Sequence, residues 1–477
     1  MKNIRLFRRT AGAVAVAAGC AALPAHAQFG GLFNSMMQMQ QQQAQQQQKQ
    51  QTVQQDEKPT KKWGAAKPVP PELQAAASTF ANSVPAAEMR PLLERLYIEG
   101  ERNATLNFQR IGMAALAGGQ VEMAERAFEA AITRIDQIYA DNPEAQKAKS
   151  LWSAEKVKDY KGEPYERAMA FFYRGLVYAA RGDFQNARAM FKQADYQDTV
   201  AEAEQYAGDF ALMPYMAGWA SYCDGNTQLS KDFLQMAAKG DKAYEGASTD
   251  RPLLVVVETG RAPFKYGAGK FGEALKWEPH AAPAATVKAA CLDSGSCVAD
   301  RFMVGADIGY QATTRGGRPI DAVLGGKASF KEGAQGVATV ATAIGAAGME
   351  HAMLSGNSDA ASIGMIGMFA GLVAQGVAQS TQAQADIREW EQLPGTVWLA
   401  TGERTASAPM LKVNVDEAGT ARSVNASRLV DTPRCQLYWG RTVTPLSLLS
   451  DAGPLEPGEH KRDPAFRQEL QAFFAAR

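Results

Sequence analysis

The sequence predicts an α+β fold in which an N-terminal α-helical repeat array is followed by a mixed β domain that carries a Gly/Ala-rich helical hairpin. Three observations lead to this prediction. A helix–turn–helix pattern recurs between residues 108 and 237, runs of β-branched residues begin only after residue 250, and residues 333–390 contain no proline. A chain of 477 residues is long enough for two or three domains.

Residues 1–27 have the pattern of a secretory signal peptide. Basic residues precede a short apolar run, and Ala25-His26-Ala27 forms an A-x-A-like cleavage site. The apolar run is too short for a transmembrane anchor. A second form of export stays open, because Ala17-Ala18-Gly19-Cys20 resembles a lipobox and would make Cys20 a lipidated N-terminus. We therefore expect an exported, periplasmic protein, and lipidation would add association with the outer membrane.

Residues 28–69 are of low complexity, and the stretch from Gln38 to Gln55 is mostly glutamine. A segment of this composition has too few apolar side chains to form a core. We expect a disordered tether between the signal peptide and the folded part of the chain.

The helical repeat array is predicted over residues 70–245, and its clearest unit runs from Phe171 to Ala194. Gly175 and Ala187 are small residues on two successive helices, which meet at a turn around Gly182. Small residues at these positions let two antiparallel helices approach closely, while large aromatic residues fill the space between them. This pattern resembles the tetratricopeptide (TPR) repeat.

Two further copies support the array. Phe108 to Ala131 matches the clearest unit position by position, and Pro214 to Ala237 is a weaker copy. The turns at Gly119 and Gly182 are further apart than a standard period of about 34 residues. An insertion, Ile138 to Tyr165, is therefore expected between the first two copies.

Candidate partner-binding residues lie on the first helices of the repeats, which line the concave face of a TPR array. Two interpretations of these side chains stay open: ordinary packing between helices, or an aromatic wall that binds a partner protein or peptide. The residues are Tyr215, Trp219, Tyr222, Phe172 and Leu176.

Residues 246–477 are predicted to form the α+β domain. Strands are expected at residues 253–257, 396–400, 410–415, 423–430 and 436–442, where β-branched and aromatic residues concentrate. A β-hairpin is expected from Val304 to Thr314 and from Arg318 to Val323, around Gly316-Gly317.

The helical hairpin is predicted at residues 333–390, where glycine and alanine allow close helix packing. A water-soluble hairpin is the favoured interpretation, because several glutamines interrupt the apolar character of its second half. The alternative is that Ala360 to Gln379 inserts into a membrane, since small residues recur there at a spacing of three or four.

Cysteine usage agrees with export to an oxidising compartment. Four cysteines remain after residue 27, and Cys291 and Cys297 flank a short Ser/Gly-containing loop that a disulfide can close. The alternative for this pair is two free buried thiols. The pairing of Cys223 and Cys435 is left open.

A wider resemblance depends on two local motifs, Glu258-x-Gly260-x-Ala-Pro263 and Trp390-x-x-Leu-Pro394, which follow the repeats in this order. The chain resembles a family of exported bacterial TPR-type proteins, often lipoproteins, of unassigned biochemical function. The resemblance implies no catalytic residues. We expect a scaffold or adaptor that binds an envelope protein or a peptide segment.

Several other functions have little support in the sequence. Lys plus Arg and Asp plus Glu both number 50, so no basic surface for nucleic acid is indicated. The histidines have no metal-ligand spacing, and we expect no metal and no cofactor. Nucleophile-elbow and P-loop motifs are absent, so an enzyme is not expected, and a cryptic hydrolase is the least favoured alternative.

Overall fold

A computed structural model describes residues 61, 63, 66–140, 159–199, 208–248, 251–269, 272, 274–280, 285–313, 385–405 and 408–475. Several predicted features lie outside these residues. They are the signal peptide at 1–27 with Cys20, nearly all of the tether at 28–69, most of the insertion after residue 138, and residues 333–384 of the helical hairpin, which include Ala360 to Gln379.

Antiparallel helix pairs build the N-terminal part of the described chain. Each pair is joined by a short turn, as expected for successive helices whose apolar faces pack together. The helices are α1 (Pro71–Ser83), α2 (Arg90–Glu99), α3 (Ala104–Ala117), α4 (Val121–Ala140), α5 (Pro164–Ala180), α6 (Phe184–Thr199), α7 (Leu212–Cys223) and α8 (Thr227–Gly240).

Glycines set the close approach inside two of these pairs. A Cβ atom on Gly112 of α3 would lie 2.9 Å from the ring of Phe128, and one on Gly175 of α5 would lie 2.5 Å from the ring of Phe191. The turn after α5 contains Gly182 with a φ of 76°, a conformation that favours glycine. The pairing that the sequence predicts at these positions is therefore present, while the assignment to the TPR type stays a prediction.

An eight-stranded sheet follows the helices, in the order β5-β4-β8-β9-β10-β1-β7-β6. The pairing of β1 with β10 is parallel, and the other neighbours are antiparallel. The strands are β1 (Leu253–Thr259), β4 (Ala285–Cys291), β5 (Cys297–Ala299), β6 (Met303–Asp307), β7 (Thr396–Gly402), β8 (Met410–Glu417), β9 (Thr420–Asp431) and β10 (Gln436–Arg441). A separate hairpin consists of β2 (Phe264–Ala268) and β3 (Ala274–Glu278).

The large sheet is curled, so that the edge strand β5 approaches β7, which lies next to the opposite edge. Strand β5 comes so close to β7 that a Cβ atom on Gly402 would collide with the carbonyl oxygen of Val298. Every residue of β1 is buried, because both faces of this strand are covered. Val255 belongs to the core inside the curl, whereas Val256 belongs to the core shared with the helices.

The C-terminal helix α10 (Asp463–Ala475) returns to the first helices of the chain. Phe474 contacts Phe80 of α1, with 5.7 Å between ring centroids, and Phe473 contacts Phe108 of α3 at 5.4 Å. The described residues between 61 and 475 accordingly belong to one compact unit, in which helices and sheet share a hydrophobic core. The secondary structure changes near residue 246 from helices to strands, and the core shared with the helices includes residues on both sides of this change.

The cysteine pairs lie at disulfide distance. The predicted pair Cys291–Cys297 joins β4 to β5, with 2.06 Å between the sulfur atoms. Cys223 at the end of α7 pairs with Cys435, just before β10, at 2.08 Å. The second pair connects a helix to the sheet across 212 residues. Both pairs agree with an oxidising, exported environment.

The α+β class and the five predicted strand regions are confirmed, but the hairpin after residue 304 is wrong in its first half. Strand β6 ends at Asp307, and a short helix α9 (Ile308–Thr313) follows. The carboxylate of Asp307 accepts a hydrogen bond from the backbone N–H of Tyr310 at 3.0 Å, which favours a helix start over a continued strand. Residues 314–323 lie outside the described residues.

Within the described parts of the chain, no helix is long and apolar enough to cross a membrane.

Candidate functional site

Four of the five predicted partner-binding side chains lie in the protein interior. Phe172, Leu176 and Trp219 have no exposed surface, and Tyr215 is 2 % exposed. Trp219 packs edge-on against Phe184, with 5.9 Å between ring centroids. Phe172, Leu176 and Trp219 therefore follow the packing interpretation, and Tyr215 keeps only a small exposed area.

Tyr222, the fifth predicted residue, is half-buried near the end of α7. The guanidinium of Arg434 lies over its ring at 5.2 Å from the centroid. This contact holds the ring beside the Cys223–Cys435 disulfide, so Tyr222 also takes part in joining the helices to the sheet.

Another part of the chain covers the inner faces of α3 and α5. Residues 385–395 lie between α3, α5 and the sheet and contain a turn, in which the N–H of Leu393 donates to the carbonyl oxygen of Trp390. We call this segment with its surrounding side chains the seam. Trp390 is 1 % exposed and packs at 5.6 Å from the ring of Tyr173 and 6.2 Å from that of Phe128. Its backbone N–H donates to Glu166 of α5 at 2.8 Å.

Glu391 is held in the seam by a buried arginine. The guanidinium of Arg110 donates from Nε to both carboxylate oxygens at 3.0 Å and from Nη2 to one of them at 2.8 Å. Burial alone would lower the pKa of Arg110, but the carboxylate of Glu391 outweighs burial and raises it. Both charges therefore stay formed inside the protein, where a lost partner would be costly.

A second charged group of the seam surrounds Lys265. Its ammonium contacts the carboxylate of Glu166 and donates to the carbonyl oxygen of Arg388 at 3.0 Å. Its backbone N–H donates to Glu389 at 2.6 Å, and Glu389 also pairs with Lys61 at 2.8 Å. Burial raises the pKa of Glu389 and lowers the pKa of Lys61, although each charge counteracts the shift of the other.

The Glu258 motif supplies a third buried group at the end of β1. Glu258 accepts hydrogen bonds from the hydroxyl of Tyr173 at 2.9 Å and from the indole of Trp439 at 3.0 Å. Arg441 pairs with its other oxygen at 2.9 Å. Burial raises the pKa of Glu258 in spite of this guanidinium.

The seam joins the helices to the sheet through buried pairs of opposite charge. These pairs stabilise the fold, and we assign them a structural role. The motifs around Glu258 and Trp390 are recognisable in the sequence, but the sequence does not indicate their partners. Those partners are distant in sequence: Glu391 and Arg110 are 281 residues apart, and Glu166 and Trp390 are 224. Nothing local in the sequence indicates such pairs.

An open cleft lies where the last helix pair meets the sheet. Its volume is about 680 Å³, and Tyr215 of α7 forms part of its wall. The hydroxyl of Tyr215 donates to the carbonyl oxygen of Ser248 at 3.3 Å. We call this space the Tyr215 cleft; its other lining residues are Gly246, Ala247, Arg251, Asp300, Arg301, Phe302, Met303, Leu399, Ala400 and Thr401.

Two arginines give the Tyr215 cleft its charge. Arg251 and Arg301 are exposed, and among the described residues no carboxylate forms an ion pair with either guanidinium. Asp300 is the single acidic residue that lines the cleft. The cleft therefore has an excess of positive charge that is suited to an anionic group.

No group of three or more His, Cys, Asp or Glu side chains in the described part of the chain could hold a metal ion.

No family model, curated protein or solved structure matches the chain. The cleft with its arginines is therefore the candidate functional site on geometric grounds alone.

Proposed function

We propose that the chain is an exported, non-enzymatic scaffold that binds a partner protein in a bacterial cell-envelope assembly, and that the partner docks at the Tyr215 cleft. The observation that carries this proposal is the open cleft itself, in which Arg251 and Arg301 lack an anionic partner among the described residues. Charged side chains that are not neutralised within the chain favour association with a complementary surface.

The seam supports a scaffold role. It fills the inner face of the helical array with residues 385–395, so this face is occupied by the chain itself. A TPR-type array of the kind that the sequence resembles would otherwise offer that face to a partner. The place for a partner is then the cleft at the end of the array, where α7 meets the sheet.

The compartment is proposed on three grounds: the signal-peptide pattern, the resemblance to exported TPR-type proteins, and two cysteine pairs at disulfide distance. A periplasmic scaffold needs a fold that survives outside the cytoplasm. The Cys223–Cys435 pair ties the end of the helix that carries Tyr215 to the sheet.

Affinity purification from the envelope fraction of the producing bacterium tests the docking site. We expect a co-purifying protein with the wild-type chain and its loss with the double variant Arg251→Ala/Arg301→Ala. The matched control is Lys192→Ala/Lys288→Ala, which removes the same charge from exposed positions on α6 and β4. Equal capture by both double variants would contradict docking at the cleft.

A further inference from the structure

The Cys291–Cys297 disulfide lies on the outer face of the curled sheet. Strand β8 alternates between the two faces: Leu411 and Val413 belong to the core inside the curl, whereas Lys412 is exposed on the opposite face. Cys291 of β4 pairs directly with Lys412. Side chains of directly opposite residues share one face of a sheet, so the sulfur bridge lies on the outer face with the lysine.

The two cysteine pairs differ in their access to solvent. Cys297 is exposed, as is the loop 293–296 that precedes it, whereas Cys291 is only 6 % exposed. Cys223 and Cys435 are 7 % and 0 % exposed. Thiol–disulfide exchange needs an incoming thiolate to reach a sulfur atom. A thiolate therefore reaches the first pair at Cys297, whereas the second pair is shielded.

The surroundings of Cys291 suit a leaving thiolate. The side-chain amide of Asn414 donates to the sulfur of Cys291 at 4.0 Å. Lys412 lies directly opposite on the same face, and its ammonium pairs with the carboxylate of Asp293 at 3.1 Å. A hydrogen-bond donor and a cation both stabilise a thiolate, and a carboxylate opposes this effect. A more stable leaving thiolate departs faster in the exchange.

A purely structural role for this bridge would be small. It closes a loop of only 6 residues, and strands β4 and β5 are already paired through their backbones at Ala290↔Ala299. So short a loop removes little entropy from the unfolded chain. Exposed disulfides are also reduced more readily than buried structural ones. Accessibility and surroundings thus favour a reactive bond.

We propose that Cys291–Cys297 is a redox-active disulfide, which exchanges with the thiols of a second molecule through a mixed disulfide on Cys297. The inference goes beyond the proposed scaffold function and does not depend on the Tyr215 cleft. The reactant is a thiol compound, either a small thiol or a protein with reduced cysteines, because both supply the same attacking group.

The exchange takes place in two steps. A thiolate of the reactant attacks the sulfur of Cys297, the mixed disulfide forms, and the electron pair of the broken bond stays on Cys291 as a thiolate. A second reactant thiolate then attacks the reactant sulfur of the mixed disulfide and releases Cys297 as a thiolate. Two reactant thiols are oxidised to one disulfide, and the protein disulfide is reduced to two thiols that take up the two protons.

Graded reduction of the purified mature chain tests the inference. The protein is equilibrated with glutathione buffers of increasing thiol content, alkylated with N-ethylmaleimide and digested, and mass spectrometry identifies the labelled cysteines. We expect Cys291 and Cys297 to be labelled at a thiol concentration at least tenfold below the one that labels Cys223 and Cys435. Reduction of both pairs at the same thiol concentration would overturn the inference.

Charge variants distinguish a reactive disulfide from one that is merely exposed. Lys412→Met should slow the reduction of Cys291–Cys297 about threefold, and Asp293→Asn should accelerate it by a similar factor, because the two charges act on the leaving thiolate with opposite sign. High salt should diminish both differences. Lys192→Met at an exposed position of α6 is the matched control and should change nothing. Melting temperatures show that the variants are folded, and rates that respond to neither charge would contradict the proposal.

Trapping variants identify the reactant in the producing bacterium. In Cys291→Ser the mixed disulfide on Cys297 cannot be resolved from within the chain, so a covalent adduct should accumulate. Cys297→Ser keeps only the buried sulfur and should form none. Non-reducing gels and intact mass distinguish the sources: a mass increase of one glutathione identifies a small thiol, and a larger disulfide-linked product identifies a protein. No adduct on Cys297, or equal adducts on both variants, would overturn the inference.

Discussion

At the scale of single residues, the seam depends on charges that are buried away from bulk solvent. Arg110 and Glu391 are both almost fully buried, with side-chain exposures of 2 % and 0 %. Breaking a buried pair by removal of one partner leaves an uncompensated charge, whereas replacing both by apolar residues of similar volume is often tolerated. The free energy of unfolding should therefore fall more when one residue of the pair is replaced than when both are replaced by apolar residues.

The variant Glu391→Gln should lower the free energy of unfolding by about 3–5 kcal/mol, because Arg110 loses its charged partner. The double variant Arg110→Met/Glu391→Leu should recover a large part of this loss. Urea denaturation of the purified chain measures both. As a control, Glu459→Gln at the exposed pair with Lys67 should cause no measurable change. Additive losses in the double variant would contradict a coupled buried pair.

His280 provides a pH-dependent contribution at the residue scale. Burial, assisted by the nearby charge of Arg261, lowers the pKa of its imidazole to about 4 from the usual 6.5. The unfolded chain therefore takes up a proton between pH 6.5 and 4 while the folded chain does not. The contribution of His280 to stability is present above pH 6.5 and is lost as the pH falls through this window.

The variant His280→Phe should flatten the fall of stability between pH 6.5 and 4. Phenylalanine does not titrate and keeps a ring against Phe264, whose centroid lies 5.4 Å from that of His280. Since the histidine is only half-buried, the difference should be roughly 1 kcal/mol after allowance for solvent screening. Denaturation of both proteins at several pH values checks this. Parallel pH profiles would show that His280 is not the titrating group.

At the scale of elements, the sequence predicts those helices, strands and helix contacts that depend on residues close together in the chain. Gly175 and Phe191 lie on consecutive helices, so their contact follows from a local pattern of small and aromatic residues. Strands β1, β7, β8, β9 and β10 likewise follow from runs of β-branched and aromatic residues, whereas β2 to β5 were not predicted. The helix after Asp307 was not predicted, because the residues that follow Asp307 are typical of a strand. The start of the helix depends on the Asp307 carboxylate, which caps it by accepting a hydrogen bond from the N–H of Tyr310.

The variant Gly175→Ala tests the close packing of α5 on α6. The added methyl group would overlap the ring of Phe191, so we expect the free energy of unfolding to fall by about 1–3 kcal/mol. Adding Phe191→Leu should restore part of this loss by making room for the methyl group. Thermal denaturation of the single and double variants measures the effect. A single variant as stable as the wild type would show that the two helices can separate freely.

At the scale of the whole molecule, the long-range contacts escape prediction from sequence. Residues 385–395 and α10 return to helices that lie hundreds of positions earlier, and only the folded chain brings them together. The sequence therefore predicts the parts and their class, whereas the occupied inner face of the array and the cleft beside it come from the structure. Of the predicted partner-binding side chains, Phe172, Leu176 and Trp219 pack in the interior, Tyr222 is half-buried, and Tyr215 also lines the cleft.

The two disulfides should differ in their contribution to global stability. The Cys223–Cys435 pair closes a loop of 212 residues, and Cys291–Cys297 closes one of 6. In the chain-entropy model these correspond to about 5 and about 2 kcal/mol. Replacing each pair by alanine and measuring guanidinium denaturation compares them. Equal losses for the two pairs would contradict a role of Cys223–Cys435 in holding helices and sheet together.

The central claim is that a partner protein docks at the Tyr215 cleft, and site-specific photo-crosslinking in living cells tests it most directly. Benzoylphenylalanine would replace Phe302 in the cleft or, as a size-matched control, Tyr196, which is 55 % exposed on α6. We predict one defined cross-linked envelope protein from position 302 and none from position 196. No product at position 302, or the same products at both positions, would contradict the claim.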